Sequence, residues 1–321
     1  MRAYLVTDHQ TQPAVTEVDA PTPGPGEVAL AIEACALNFA DLLMIKGTYQ
    51  DTPALPFAPG MEVCGTVTAH GPGVDAPAVG TRVAVFGGSG GLAEAGCFPA
   101  ARCVAVPDDM PSDIAASFIV AYSTSHVALT HKARLQPGER LVVLGAAGGV
   151  GLTAVELGAK MGAEVVAVAR GDEKLAVARA HGAHHLIDGD APDLRDRILA
   201  LGGADVVYDA VGGAAFKAAF RATNADGRIL VIGFASGEVP QVKANHLLVK
   251  NIDLLGMYWG GYLAVKPEVI RTSIEALFEM WSHGELRPHV SHSLPLARTA
   301  EGLELLRARR STGKVVVTMG R

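Results

Sequence analysis

Apolar residues fall along this chain in two rhythms. Up to about residue 108 the apolar runs are short and broken by Pro/Gly turns, among them Pro21-Thr22-Pro23-Gly24-Pro25-Gly26, Pro59-Gly60 and Gly71-Pro72-Gly73. That is the punctuation of a β-rich region, and it predicts strands at 28–37, 62–67 and 82–86. A short helix over 38–47 is predicted between the first two, ended by Gly47. A helical region begins at Ser112 and continues through Thr124 to Leu129. Beyond it the rhythm changes. Strands rich in apolar residues are predicted at 141–144, 164–169, 184–187, 205–208, 227–233 and 252–257, alternating with helical stripes as buried parallel strands do. Helices are predicted at 267–281 and 299–309, and a closing strand at 313–318. The expected fold is α/β: a doubly wound parallel-sheet (Rossmann) domain at 119–260, inserted into a discontinuous β-rich domain of 1–118 and 261–321.

The sharpest local pattern is the junction after the first parallel strand. Leu141-Val142-Val143-Leu144 runs into Gly145-Ala146-Ala147-Gly148-Gly149-Val150-Gly151, and a helical stripe follows. Strand, glycine turn and helix start make a phosphate cradle, with Gly148, Gly149, Val150 and Gly151 as its residues. Plain strand-to-helix packing is the competing reading of the same glycines. The next strand ends in Arg170, where NAD-binding domains carry an acidic residue for the ribose diol, and Lys174 lies one helical turn on. Two cations there suit a 2′-phosphate, so the expected cofactor is NADP(H). Against this stands the reading of Arg170 as a solvated surface charge.

Composition changes the picture mainly by exclusion. The chain has 321 residues, enough for two domains, and a net charge of −6, which favours neither nucleic acid nor an anionic membrane as partner. No apolar run approaches a membrane span, and the start turns polar too soon for a signal peptide. Cys35, Cys64, Cys97 and Cys103 are scattered without a Cys-x-x-Cys pair and read as reduced thiols of a cytoplasmic protein.

Several motifs together carry a resemblance that runs end to end. They are Asn38-Phe39-Ala40-Asp41, Gly47-Thr48-Tyr49, Leu55-Pro56-Phe57-Ala58-Pro59-Gly60-Met61-Glu62, the glycine turn, Asp209-Ala210-Val211-Gly212-Gly213, Gly233-Phe234-Ala235-Ser236 and Gly256-Met257-Tyr258-Trp259-Gly260. In this series the chain resembles the zinc-independent medium-chain dehydrogenases/reductases of the quinone oxidoreductase (zeta-crystallin-like) group. The resemblance implies a GroES-like catalytic domain beside the Rossmann domain, and a homodimer joined along the strand at 251–257. It implies that Thr124 faces the cofactor, with Phe234, Ser236 and Tyr258 also on the cofactor side. It sets Asn38 and Met61 where zinc-dependent relatives carry ligands, so no metal is expected. The chain departs from the group at Gly189, where some members hold a tyrosine near the 2′-phosphate, and at Leu43, where some carry a second active-site tyrosine.

Hydride transfer without a Lewis acid suits a conjugated acceptor, which spreads the developing charge. The expected substrate is therefore a small-molecule quinone or α,β-unsaturated carbonyl (enone), bound in a cleft between the domains. Asn38 and Tyr49 are the catalytic candidates, as hydrogen-bond partners of the substrate oxygen. Tyr49 also reads as a packed aromatic, and Asp41 as a residue that orders its helix. Two other functions remain open: reduction of an enoyl-thioester, or NADPH binding by a structural or interaction protein with little turnover. Tyr262-x-x-x-Lys266 has the spacing of a short-chain dehydrogenase pair, but Pro267 disfavours helix at Lys266.

Overall fold

A computed structural model of the chain describes residues 1–320. In chain order the elements are β1 (Arg2–Leu5), β2 (Ala14–Glu17), β3 (Glu27–Ala36), α1 (Phe39–Ile45), β4 (Glu62–His70), β5 (Arg82–Phe86), β6 (Ala95–Pro99), β7 (Cys103–Ala105) and α2 (Ser112–Val127). There follow β8 (Arg140–Leu144), α3 (Gly149–Lys160), β9 (Glu164–Ala169), α4 (Asp172–Ala180), β10 (His185–Asp188), α5 (Leu194–Ala200), β11 (Ala204–Asp209), α6 (Gly213–Ala222), β12 (Thr223–Val231), α7 (Ala244–Lys250) and β13 (Asp253–Gly256). The last are α8 (Trp259–Val265), α9 (Pro267–Ser282), β14 (Val290–Pro295), α10 (Thr299–Arg307) and β15 (Lys314–Thr318). The chain divides into two compact units, 1–120 with 288–321, and 121–287.

The first unit is built on a seven-stranded sheet in the order β14-β15-β3-β4-β5-β7, with β6 also paired to β3. All pairings are antiparallel except β14 with β15. β3 alternates half-buried and buried residues for most of its length, so one of its faces carries Val28, Leu30 and Ile32 into the core. Phe98, Val83, Val315 and Val317 meet them there. β14 falls in a stretch for which the sequence pattern predicts no element. Its polar Ser291, His292 and Ser293 stand together between Val290 and Leu294, and pairing with β15 makes it the end of the sheet.

The second unit holds six parallel strands in the order β10-β9-β8-β11-β12-β13. Val142, Leu144, Val166, Val207 and Ile229 fill its core, as the unbroken apolar runs require. Strand order reverses between β8 and β11, so their C-terminal ends open the crevice where such sheets bind ligands.

The sequence reading returned the chain to its first domain at 261, but the return comes at Pro288. The segment between belongs to the second unit because its hydrogen bonds lie there. His126 Nδ1 lies 3.0 Å from Ser273 Oγ, and Arg287 N donates to Glu156 Oε1 at 2.7 Å. α7 and α8 were not anticipated. α8 ends at Val265, and Lys266 after it has φ −151° and ψ 61°, outside helical geometry, so the Tyr262/Lys266 pair does not share a continuing helix.

Candidate active site

The glycine turn is built by close backbone approach. Gly145 has φ +75°, in the left-handed region. Its N–H and that of Ala146 both donate to Val168 O, tying the turn to β9. A Cβ on Gly151 would sit 2.1 Å from Gly145 O, so only glycine fits there. Gly148 is the N-cap of α3 and offers no side chain to the helix start. The first bond within the helix is Leu152 N to Gly148 O, which leaves the N–H groups of Gly149, Val150 and Gly151 directed out of it. This cradle fits a nucleotide pyrophosphate in both shape and charge.

Two loops close on the same end of the sheet. Asp209, fully buried at the end of β11, accepts from Val211 N and Gly212 N through Oδ1 and so shapes the 209–213 turn. Its Oδ2 is buried without a hydrogen-bond partner among the described residues, and burial pushes its carboxyl up. Ala235 N and Ser236 N donate to Ala210 O and Val211 O, zipping the loop that carries Phe234 and Ser236 onto this turn. Phe234 is exposed, and Ser236 Oγ accepts from Glu238 N. A Cβ on Gly145 would lie 2.9 Å from Val211, which links the turn to the cradle.

Thr124 reaches the cradle through its neighbour. Ser125 Oγ donates to Val150 O at 2.9 Å and also meets Thr153 and Tyr208. Tyr122 donates to Glu156 at 2.6 Å, and burial, with the carboxylate beside it, keeps the phenol protonated. Trp259 fastens the Tyr258 segment to Ser123. Thr124, Gly148, Gly149, Val150, Gly151, Phe234, Ser236 and Tyr258 are thus brought together in one unit.

Arg170 directly follows β9 and is exposed. Its Nε lies 3.0 Å from Asp190 Oδ1, a partner the sequence reading did not foresee. Lys174 is half-buried on the first turns of α4. At Gly189 an added Cβ would find only ordinary contacts, 3.5 Å from Arg170, so the place of the relatives' tyrosine stands open.

In the first unit, Asn38 is tied to three neighbours. Its Nδ2 donates to Ala36 O and to Glu62 Oε1 at 3.0 Å, and its Oδ1 accepts from Lys314 Nζ at 2.8 Å. Both amide protons are thus directed at acceptors within this unit. Lys314 Nζ also lies 2.8 Å from Glu62 Oε1, and both side chains are buried. Asp41, fully buried, accepts from Asn38 N and Gly60 N; burial raises its pKa to about 6. The second expected ligand place, Met61, is packed with Val6, Met44 and Phe57. Tyr49 packs half-buried against that same cluster. No group of three His, Cys, Asp or Glu among the described residues is arranged to hold a metal. Burial pushes all four cysteine thiols up, Cys64 to about 12, so none is a ready nucleophile.

Two family models match, the alcohol dehydrogenase GroES-like domain over residues 24–108 and the zinc-binding dehydrogenase domain over 149–279. The quinone oxidoreductase-like protein 2 homolog of Nematostella vectensis is 39% identical over 300 residues, covering 92% of this chain and 82% of its own. The chain belongs to the quinone oxidoreductase family of medium-chain dehydrogenases/reductases. Quinone oxidoreductase-like protein 2 of Mus musculus is 35% identical, over 99% of this chain and 92% of its own. Among solved structures, the Thermus thermophilus quinone oxidoreductase, determined alone and with NADPH, matches with a TM-score of 0.86 and 31% identity over 99% of this chain and all of its own, 100%. A mycobacterial protein complexed with NADPH matches with a TM-score of 0.93, also at 31% identity, over 99% of this chain and 100% of that one. The GroES-like and Rossmann assignments of this family member follow from the same matches.

The Lys314–Glu62 pair generates a stability prediction. Lys314→Met should leave a buried carboxylate without its cation and cost about 3–5 kcal/mol. Urea denaturation measures it; an unchanged midpoint would show that Glu62 does not depend on Lys314.

Proposed function

We propose that this family member is an NADPH-dependent oxidoreductase that reduces a quinone or an α,β-unsaturated carbonyl without zinc. NADPH supplies the hydride. The observation that carries the zinc-free reading is the closed Asn38–Glu62–Lys314 network. It fills one expected ligand place with an amide already committed to its neighbours, and Met61 fills the other with a packed thioether. With no Lewis acid, the acceptor must delocalise its own charge, as quinones and enones do.

The chain's residues divide the work. The open N–H groups of Gly149, Val150 and Gly151 hold the pyrophosphate, and Arg170 with Lys174 attracts the 2′-phosphate. Thr124, Phe234, Ser236 and Tyr258 border the nicotinamide end. Tyr49 remains the substrate-side donor, its hydroxyl given to the oxygen on which charge builds. The reaction is tested by NADPH oxidation with quinones, enones and enoyl-thioesters, with and without a chelator. Turnover of a quinone or enone that survives chelation is expected, and Tyr49→Phe should lower kcat and kcat/KM together by about 10- to 100-fold. Binding without turnover across the panel, or stoichiometric zinc in active protein, contradicts the proposal.

Cofactor choice rests on Arg170. Its Asp190 partner is 68% exposed, so a phosphate competes with a carboxylate in water rather than in a dry site. Arg170→Ala should weaken NADPH by about 5- to 20-fold, less at high salt, and leave NADH nearly unchanged. Equal wild-type affinity for the two cofactors would end this assignment.

A homodimer completes the proposal. β13 is the end strand of its sheet, and α7 just before it exposes Leu248 and Val249, each 77% accessible. An open strand edge beside exposed apolar side chains suits pairing with a second copy across a two-fold axis. Sedimentation at micromolar concentration should give the dimer mass; an active monomer would refute it.

A further inference from the structure

Four successive residues of α2 carry polar side chains, and three of them are anchored in different directions. Tyr122 bonds Glu156 on α3. Ser125 bonds Val150 O, Thr153 and Tyr208. Ser123, fully buried, accepts from Trp259 Nε1 at 2.9 Å. A helix advances about 100° per residue, so these bonds hold it from several sides and fix its rotation. The fourth is Thr124, 6% exposed, whose hydroxyl has no hydrogen bond to any described residue. The anchoring of its neighbours decides where that hydroxyl points.

The other end of the Ser123 bond is equally specific. Trp259 is 6% exposed and directly follows Tyr258, which is 47% exposed. The Tyr258 ring is seated on the two glycines after Trp259. A Cβ on Gly261 would lie 2.8 Å from Tyr258 Cδ1, and one on Gly260 3.2 Å from its Cζ. One buried hydrogen bond therefore joins the residue before Thr124 to the residue after Tyr258.

We propose that the Ser123–Trp259 hydrogen bond is a clamp that fixes the spacing of Thr124 and Tyr258 and so orients the nicotinamide ring. The inference rests on the NADPH reading above and concerns only the nicotinamide half of the cofactor. Ser123 and Trp259 are positioning residues: they act through Thr124 and Tyr258. Hydride transfer depends steeply on donor–acceptor geometry, so a loosened slot penalises turnover as well as nicotinamide binding.

The test separates the two halves of the cofactor. Wild type, Ser123→Ala and Trp259→Phe are titrated by calorimetry with NADPH and with 2′-phospho-ADP-ribose, which lacks only the nicotinamide. The clamp requires each variant to lose about three- to tenfold in NADPH affinity while 2′-phospho-ADP-ribose binds as in wild type. The double variant should be no worse than the weaker single one, because both remove the same bond. Equal loss for both ligands would mean general loosening of the unit and would overturn the clamp. So would unchanged affinity for both, or additive losses in the double variant. Wild type that binds neither ligand overturns the cofactor reading itself, a result distinct from any of these.

Discussion

Burying a carboxylate is costly unless every lone pair and the charge itself are answered, and the first unit is arranged to answer those of Glu62. Oε1 takes hydrogen bonds from Asn38 and Lys314, and Oε2 takes one from Val120 N. Meeting that demand fixes much else. Lys314 brings the start of β15 to the end of β3, and Asn38 holds the entry of α1. Asp41 on the same helix then secures Gly60, whose φ of +98° and close approach to Leu92 N exclude any side chain. The loop bearing Tyr49 leaves from the far end of α1. The polar cluster is thus scaffold for α1 and for the loops that flank it.

The second unit solves a different problem, bringing backbone close to a phosphate. Gly151 against Gly145 does this at the cradle, and the turns after β11 and β12 are knitted to it by main-chain bonds. Where the first unit relies on charge satisfied in the interior, this one relies on missing side chains and on hydroxyls. Ser123, Ser125, Thr153, Tyr122 and Tyr208 form a buried polar layer between helices and sheet, each with a partner. Such a layer specifies one arrangement more sharply than an apolar surface, which tolerates sliding.

Much of this was legible in the chain. Strands buried on both faces must be continuously apolar, which is why β8, β9 and β11 stood out. The cradle was readable because strand, glycines and helix are consecutive. What escaped notice was whatever depends on distant partners. Nothing at Asn38 announces that Lys314 will take its oxygen, and an amide of the same spacing serves a substrate equally well. Nor does Arg170 reveal that Asp190 will lie beside it. β14 was missed because an end strand need bury only part of itself, so its two serines and one histidine look like a loop. The late boundary escaped for the same reason: Ser273 and Arg287 are joined to the second unit by single hydrogen bonds to partners far back in the chain.

The pairing of β3 with β15 has a consequence for how the molecule is made. Residues 121–287 form an uninterrupted stretch, and every strand of their sheet has been synthesised by Gly256. The first unit is different. β3, β4 and β6 leave the ribosome early, yet the β15 partner of Ala34–Ala36 and the cation for Glu62 arrive only with 314–318. The N-terminal segment must therefore wait through synthesis of the entire Rossmann unit with the end of β3 paired to β4 alone and Glu62 lacking its counter-ion. Order of completion runs opposite to order of synthesis. The unit begun first is closed last, by one of the final strands of the chain.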